Sequence, residues 1–204
     1  MTRVIAGAAR GRRLAVPPSG TRPTSDRVRE AMFSSIDSDL LSRDLPWSRV
    51  RVLDLFAGTG AFGLEALSRG ALTAVMVESS RSAVRVLTAN QAVVGCTGGV
   101  IVPRDVRQWA GQPPTLAADV CFADPPYDWP AADLRTVLAA LAAGGWLGAG
   151  ALVVAERPVK DPESPLPDSC TDQRRRTYGD TALWYGRFAG SEQPQPRAAT
   201  SPFP

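Results

Sequence analysis

Residues 50–65, Val-Arg-Val-Leu-Asp-Leu-Phe-Ala-Gly-Thr-Gly-Ala-Phe-Gly-Leu-Glu, lead from a β-forming run through a glycine-rich turn into a helix-forming segment. Glycine at 58 and at 60 permits a tight turn with positive φ and a close approach of the backbone to a ligand. The spacing Gly58-x-Gly60-x-x-Gly63 matches the dinucleotide-binding fingerprint, and Glu78 follows about 20 residues later, as that fingerprint expects. The stretch therefore predicts a strand, loop and helix that bind a ligand containing ribose.

Beyond this stretch the sequence alternates short apolar runs with helix-forming segments. Strands are predicted at 50–55, 73–77, 100–103, 120–123 and 151–155, helices at 61–69, 80–94 and 131–143, and a C-terminal hairpin at 174–178 and 182–188. Alternating strands and helices indicate a parallel sheet covered by helices. The predicted fold class is therefore α/β, with a Rossmann-like parallel sheet that carries a C-terminal antiparallel hairpin.

The first 45 residues are predicted to form a small extension of this sheet. The runs 3–7 and 12–16 flank a turn rich in glycine and arginine, which indicates a β-hairpin, and a helix is expected to begin at Asp26. The tail is rich in Pro, Ser, Gln and Ala, which is typical of disorder. We therefore divide the chain into an extension at 1–45, a main domain at 46–189 and a disordered tail at 190–204.

The composition excludes several kinds of chemistry. The 204 residues include no histidine and three widely spaced cysteines, so a zinc site has too few ligands and no metal is predicted. The absence of histidine also excludes Ser-His-Asp and Cys-His catalysis. No apolar run reaches about 18 residues and no signal peptide is recognisable, so we expect a cytoplasmic protein without a membrane anchor.

Positive charge is concentrated near the N-terminus. Residues 1–30 contain seven arginines and two acidic residues, whereas the net charge of the whole chain is +3. Guanidinium groups match phosphate oxygens in geometry, so the cluster favours binding to a nucleic-acid backbone, although a solvated arginine-rich face is the alternative. The candidate phosphate-binding residues are Arg10, Arg12, Arg13, Arg22, Arg27 and Arg29.

Acidic residues near the glycine-rich loop bear on the identity of the ligand. Asp54 ends the first predicted strand, where a carboxylate suits a cationic ligand better than a pyrophosphate. S-adenosylmethionine (SAM) carries a sulfonium and an ammonium group and no phosphate, which favours it over NAD. Asp105 follows the third strand, where it could accept the adenine amino group while Val106 packs on the ring, or could cap a short helix.

The sequence Asp124-Pro125-Pro126-Tyr127 directly follows the fourth strand. Ligands of open parallel sheets bind beyond the carboxyl ends of the strands, so this turn is expected to face the same ligand. The Asp124 carboxylate and the Pro125 carbonyl can accept the two hydrogens of an aromatic amine and so orient it for methyl transfer. The prolines stiffen the turn, and Tyr127 offers a ring on which a flipped-out base can stack.

These motifs resemble those of class I SAM-dependent methyltransferases and, within that class, the bacterial 16S ribosomal RNA guanine-N2 methyltransferase family (RsmD type). The resemblance covers about residues 3–188. The glycine-rich loop and the Asp-Pro-Pro-Tyr turn are shared by many amine methyltransferases, whereas the segments at 3–7, 10–12 and 22–30 are much more specific to this family. The loop after Pro158 and the tail after Gly190 depart from the family pattern.

The resemblance implies methylation of the N2 amine of a loop guanine in 16S rRNA, within the small ribosomal subunit or a late assembly intermediate. It implies SAM as cofactor and S-adenosylhomocysteine as product. We expect the enzyme to be a monomer. The cofactor-binding residues would be Asp54, Phe56, Ala57, Gly58, Thr59, Gly60, Glu78, Asp105 and Val106. Asp124, Pro125, Pro126 and Tyr127 would hold the guanine, and the N-terminal arginines would contact the RNA.

Other functions are compatible with parts of this pattern. The same active site could methylate the N6 amine of adenine in DNA, although the chain has little room for a separate target-recognition domain. A protein-glutamine methyltransferase usually has Asn in place of Asp124. An NAD-dependent dehydrogenase is opposed by Asp54 and by the lack of histidine. A non-catalytic RNA-binding assembly factor would bind RNA whatever residue stood at 124.

Overall fold

The computed structural model describes residues 2–16 and 25–190. A short N-terminal hairpin pairs β1 (Thr2–Arg3) with β2 (Arg13–Leu14). The central sheet has seven strands in the described chain, in the order β5-β4-β3-β6-β7-β9-β8. These strands are β3 (Arg51–Leu55), β4 (Thr73–Val77), β5 (Gly99–Val102), β6 (Ala118–Ala123), β7 (Leu147–Pro158), β8 (Cys170–Tyr178) and β9 (Thr181–Phe188).

Strands β3 to β7 are parallel, and β9 runs antiparallel to both of its neighbours. The helices are α1 (Asp26–Ser42), α2 (Ala61–Ser68), α3 (Arg81–Val94), α4 (Val106–Ala110) and α5 (Ala131–Ala143). Residues of α1, α2 and α3 pack on one face of the sheet, and residues of α4 and α5 pack on the other. The α/β class, the Rossmann-like parallel sheet and the antiparallel hairpin at its end are confirmed.

The strands differ from the predicted ones mainly in length. The sequence predicts β7 only over residues 151–155, because Gly148 and Gly150 are typical of a loop after the preceding helix. In the structure the strand extends over Leu147–Pro158. An irregularity in the pairing makes this possible: Ala118 pairs with Leu147, whereas Val120 already pairs with Leu152. The glycine-rich segment is thus absorbed as an irregular stretch of strand.

The N-terminal hairpin and α1 belong to the same apolar core as the sheet. Val4 and Leu14 of the hairpin and Phe33 of α1 are buried in a cluster with Val154 of β7. The predicted boundary at residue 45 does not separate two cores, and it stays a prediction about function. The predicted tail beyond residue 190 lies outside the described residues, as does Arg22.

A buried carboxylate attaches the hairpin to the sheet domain. Glu65 of α2 is 0% exposed, and its carboxylate accepts the backbone N–H of Ile5 at 2.6 Å and of Ala6 at 2.9 Å. The Nε of Arg69 donates to the same carboxylate at 3.0 Å. Gly7 has φ +80°, and a Cβ there would lie 1.8 Å from the Ser68 carbonyl oxygen. The hairpin therefore packs backbone to backbone on the end of α2.

Helix α1 points its first turn toward the edge where β3 and β6 end. Arg176, which pairs with Leu183 beside the C-terminal part of β7, donates to Ser35 at 3.3 Å. Arg187, which pairs with Leu152 near the start of that strand, forms an ion pair with Asp39. Ser35 of α1 therefore lies level with the C-terminal part of β7, and Asp39, one turn later, lies level with its start. The N-terminus of α1 consequently faces the C-terminal edge of the sheet.

Within residues 2–16 and 25–190, no helix combines the length and the apolar character that a membrane span requires.

We expect Glu65→Gln to destabilise the protein by about 2 kcal/mol, because an amide nitrogen would then face backbone donors in a buried site. The free energy of unfolding from urea denaturation measures the loss. Glu30→Gln on the exposed face of α1 is the matched control. A Glu65→Gln variant as stable as this control would show that the carboxylate does not hold the hairpin.

Candidate active site

The predicted polar residues meet at one edge of the sheet. Asp54 lies near the end of β3, Glu78 directly follows β4, Asp105 follows β5 and Asp124 directly follows β6. These four strands are parallel neighbours, so their carboxyl ends share one edge. In open α/β sheets this edge is where ligands bind.

The glycine-rich loop is fastened to the end of the neighbouring strand. The backbone N–H groups of Phe56 and Ala57 both donate to the Val77 carbonyl, at 3.0 and 2.8 Å. Phe56 adopts φ 82°, which is uncommon for a residue with a side chain. Gly60 has φ +80°, and a Cβ there would lie 2.2 Å from a methyl group of Leu87. The loop is therefore held in a conformation that requires glycine at 60.

Asp54 is a buried carboxylate beneath this loop. It is 1% exposed, and its Oδ2 accepts the N–H of Gly63 at 2.9 Å. Burial raises the pKa of Asp54 to about 7; the hydrogen bond from Gly63 opposes the shift and the charge of Glu78 adds to it. The ionised form is thus poorly stabilised by the protein itself, so a nearby cation would be favourable.

Glu78 and Asp105 both shape the backbone around the site. The carboxylate of Glu78 accepts the N–H of Gly58 at 2.8 Å and of Ser80 at 2.7 Å. Asp105 accepts the N–H of Arg107 at 2.8 Å and caps α4, which was one of its two predicted roles. Carboxylate oxygens each accept more than one hydrogen bond, so both residues keep capacity for a ligand.

A pocket lies between the ends of these strands and the Asp-Pro-Pro-Tyr turn. It brings together Glu78 and Asp105, which are predicted to bind the cofactor, and Pro126, which is predicted to hold the acceptor amine. Its lining consists of Phe56, Val77, Glu78, Ser79, Arg104, Asp105, Val106, Pro126 and Trp129.

The turn after β6 is anchored at its far end. The N–H of Trp129 donates to the Pro126 carbonyl at 2.9 Å, and the Trp129 carbonyl accepts Nη2 of the buried Arg157 at 2.6 Å. The Trp129 ring meets Phe56 edge-on at 4.7 Å between centroids, and the guanidinium carbon of Arg107 lies 3.8 Å from the centroid of the Trp129 ring. The turn and the glycine-rich loop are therefore in direct contact.

Within the turn, the side chains become exposed after Pro125. Asp124 is half-buried, Pro125 is buried, and the Tyr127 side chain is 61% exposed. A half-buried carboxylate followed by an exposed ring suits a ligand that enters from solvent. The predicted roles of these residues in holding a base stay predictions.

The N-terminal arginines do not form one equivalent set. Arg10, Arg13 and Arg27 are exposed. Arg12 is exposed too, but its Nη1 donates to the carbonyls of Val93 and Val94 at the end of α3. The prediction that Arg29 contacts RNA needs correction, because Arg29 is 2% exposed and donates to the Arg3 carbonyl at 2.5 Å and to Asp26 at 2.9 Å. Its role is to join α1 to the hairpin.

Sequence reasoning missed Asn90, which links the hairpin to the glycine-rich loop. Asn90 is 1% exposed; its side chain accepts the N–H of Ala15 at 2.8 Å and donates to the carbonyls of Ala15 at 3.0 Å and Thr59 at 2.9 Å. The available signal was an amide between Leu87 and Val94 on the buried face of α3. Buried side-chain amides are normally hydrogen-bonded, but the sequence does not say to what.

Comparison with known proteins shows which family has this sequence and fold. The family model described as "Conserved hypothetical protein 95" matches residues 2–187. The "Ribosomal RNA small subunit methyltransferase D" of Escherichia coli K12 is 34% identical over 93% of this chain and 92% of its own length. The protein of the same name from Haemophilus influenzae is 32% identical over 87% of this chain and 89% of its own length.

Among solved structures, that of the Escherichia coli protein yhhF, which is described as a methyltransferase, superposes on this chain with a TM-score of 0.77 at 34% identity. The match covers 92% of this chain and 98% of that one. Sequence and fold agree over nearly the whole length of both proteins. The chain therefore belongs to the family of the ribosomal RNA small subunit methyltransferases D.

Proposed function

We propose that this protein transfers a methyl group from SAM to the exocyclic N2 amine of a guanine in 16S rRNA. The observation that supports it most is the convergence of the Asp124–Tyr127 turn, the pocket beside it and the buried Asp54 at one edge of the sheet. The family supports rRNA of the small subunit as the substrate, since the relatives named above carry that substrate in their names.

The chain offers suitable groups for each part of SAM. Asp54, whose pKa is raised by burial, suits the cationic amino-acid end. Glu78 suits the ribose hydroxyls, and Asp105 with Val106 suits the adenine, because the three residues line one pocket. The backbone of residues 56–60 would lie along the ligand. Bound there, SAM supplies a sulfonium methyl group, which the amine takes up with release of S-adenosylhomocysteine and a proton.

The protein's own contribution to the transfer is orientation. An exocyclic amine is a weak nucleophile because its lone pair is delocalised into the ring. The Asp124 carboxylate and the Pro125 carbonyl each accept one of its hydrogens, which fixes the nitrogen and draws the lone pair out of the ring. Such positioning is worth up to about 7–11 kcal/mol in well-oriented reactions. The proton that the product loses passes to Asp124 or to water, so histidine is not needed.

The exposed Tyr127 ring and the N-terminal arginines suit an RNA substrate. Tyr127 offers a stacking surface for a base turned out of its helix. Arg10, Arg13 and Arg27 are exposed. The first two lie on the hairpin, and Arg27 lies on the first turn of α1, which faces the edge of the sheet that carries the site. Action on the small ribosomal subunit or its late assembly intermediate would place the protein in the cytoplasm.

A transfer assay with radiolabelled SAM on unmodified 30S subunits, free 16S rRNA and duplex DNA tests this proposal. Mass spectrometry of digested nucleosides identifies the product. N2-methylguanosine in rRNA is the expected result. N6-methyladenine in DNA would establish the rival substrate, and RNA binding without transfer would favour an assembly factor.

We expect Asp124→Ala to lower kcat by at least about 100-fold, because one of the two acceptors that hold the amine is lost. The affinity for SAM, measured by calorimetry, should change by no more than a few-fold. Asp128→Asn, an exposed acid in the same turn, is the matched control. Full activity of the Asp124→Ala variant would refute the role of this carboxylate.

We expect SAM to bind about tenfold more tightly at pH 8 than at pH 6. Asp54 is largely protonated in the free protein below its pKa of about 7, and binding of a cation beside it requires the ionised form. Binding should therefore release a proton, and affinity should rise with pH. The Asp54→Asn variant should bind weakly with a flatter pH profile between these values. A profile equally steep in this variant would assign the titration to another group.

We expect the triple substitution of Arg10, Arg13 and Arg27 by Ala to reduce the salt dependence of RNA binding. Each phosphate contact on single-stranded RNA contributes about 0.7 to the slope of log K against log salt, so the slope should fall by about 2. Arg49→Ala with Arg51→Ala is the control, because these exposed arginines lie at the opposite end of β3. An equal effect in the control would place the RNA elsewhere.

A further inference from the structure

A second carboxylate lies beside Asp124 at the edge of the site. Ala123 of β6 pairs with Ala155 of β7, so the next residues on the two parallel strands are Asp124 and Glu156. Neighbouring strands lie about 4.8 Å apart, which brings two side chains of the same face within reach of one small planar ligand. The sequence alone indicates no role for Glu156.

Both carboxylates belong to the same face of the sheet. Phe122 and Val154, which pair with each other, are buried in the cluster formed with α1, α2 and α3. Ala123 and Ala155 are buried in the cluster on the opposite face. Because successive side chains alternate between faces, Glu156 shares the face of Val154, and continuing the pleat by one residue gives Asp124 the face of Phe122.

Glu156 is buried next to the end of β6 rather than displayed on the surface. It is 7% exposed, although it lies at the end of the sheet that receives the ligand. Its Oε1 accepts the hydroxyl of Thr181 at 3.4 Å, from the start of β9. On the opposite face, the next residue, Arg157, fixes the far end of the Asp-Pro-Pro-Tyr turn. The end of β7 therefore supports the turn and places a second acceptor beside Asp124.

We propose that Glu156 is a specificity-determining residue that accepts the N1–H of the guanine whose N2 amine is held by Asp124. This inference rests on the proposed function and adds the means by which the site selects guanine. In guanine the N1–H and the N2 amine are adjacent donors on one edge of the ring. Two acceptors side by side on neighbouring strands match that edge, and enzymes that act on a flipped base read it in this way.

The same pair of carboxylates disfavours the other bases that carry an amine. The N6 amine of adenine is flanked by the ring nitrogens N1 and N7, and the N4 amine of cytosine is flanked by N3. Each of these ring nitrogens carries a lone pair and no hydrogen, so it would face the Glu156 carboxylate without a bond. A carboxylate oxygen and the lone pair of a ring nitrogen repel each other, so a base without the N1–H donor loses one hydrogen bond and gains a repulsive contact. The geometry thus opposes the adenine N6 alternative.

The test changes the donor on the base and the acceptor on the protein, one at a time and together. The target guanosine is first located by mass spectrometry of ribonuclease fragments of the methylated rRNA. It is then replaced in ligated 16S rRNA by 2,6-diaminopurine riboside, which keeps the N2 amine but has an unprotonated N1. RNA of each kind is assembled into 30S subunits and methylated by the wild-type enzyme and by Glu156→Gln. The amide of glutamine can donate to the unprotonated N1, whereas the carboxylate cannot.

We expect the wild-type enzyme to prefer guanine over 2,6-diaminopurine by at least about 100-fold in kcat/KM, and Glu156→Gln to narrow this preference at least tenfold. Glu163→Gln, an exposed glutamate in the loop after β7, should keep the wild-type preference. The melting temperature and SAM affinity of each variant show that it is folded. A purely structural role for Glu156 would lower transfer to both RNAs in proportion.

The outcomes separate the two proposals. No methylation of guanine-containing RNA by the wild-type enzyme would overturn the proposed function itself. Normal methylation of guanine with an unchanged ratio in Glu156→Gln would overturn only the role of Glu156. A wild-type enzyme that accepts both bases equally would also overturn it, since N1–H would then not be read.

Discussion

The hydrogen bond from the N–H of Gly63 to the buried Asp54 carboxylate is the interaction on which the site depends. It ties the end of the central strand β3 to the first turn of α2, and so sets the path of the glycine-rich loop between them. From that loop, Phe56 contacts Trp129 of the Asp-Pro-Pro-Tyr turn, and Thr59 contacts Asn90 of α3. A carboxylate withdrawn from water thus organises the contacts around the proposed cofactor site, at a cost that a cationic ligand would offset.

Much of the fold could be predicted because its signals are local. The β-forming run before Gly58 and the helix-forming run after it defined one unit, and repetition of that pattern defined a parallel sheet. The carboxyl-end rule then predicts that Asp54, Glu78, Asp105 and Asp124 share one edge of the sheet, where the structure has them. Strand ends were less predictable, since the extension of β7 through Gly148 and Gly150 depends on its partner strand β6.

The residues that escaped prediction are buried polar groups with distant partners. Glu65 binds backbone 60 residues away, and Asn90 binds backbone 75 residues away, so neither pairing leaves a local pattern. The prediction for Arg29 was wrong because a local pattern was present but did not decide its environment. Within a run of arginines its charge indicates phosphate binding, whereas its position on the inner face of α1 buries it. Sequence shows which chemical groups are available, but only packing decides which of them reach solvent.

The backbone clamp formed by Asn90 has a consequence for how enzymes of this kind can be re-engineered. The hairpin reads as a detachable RNA-contacting module, yet its last anchored residue, Ala15, shares one side-chain amide with the carbonyl of Thr59 in the glycine-rich loop. A grafted hairpin that does not present a backbone N–H and a carbonyl at the position of Ala15 would leave the buried Asn90 amide without two of its partners, while the same amide still has to hold Thr59. Retargeting by exchange of N-termini therefore demands a hairpin that reproduces this contact, and a truncated catalytic core would not be a neutral starting point.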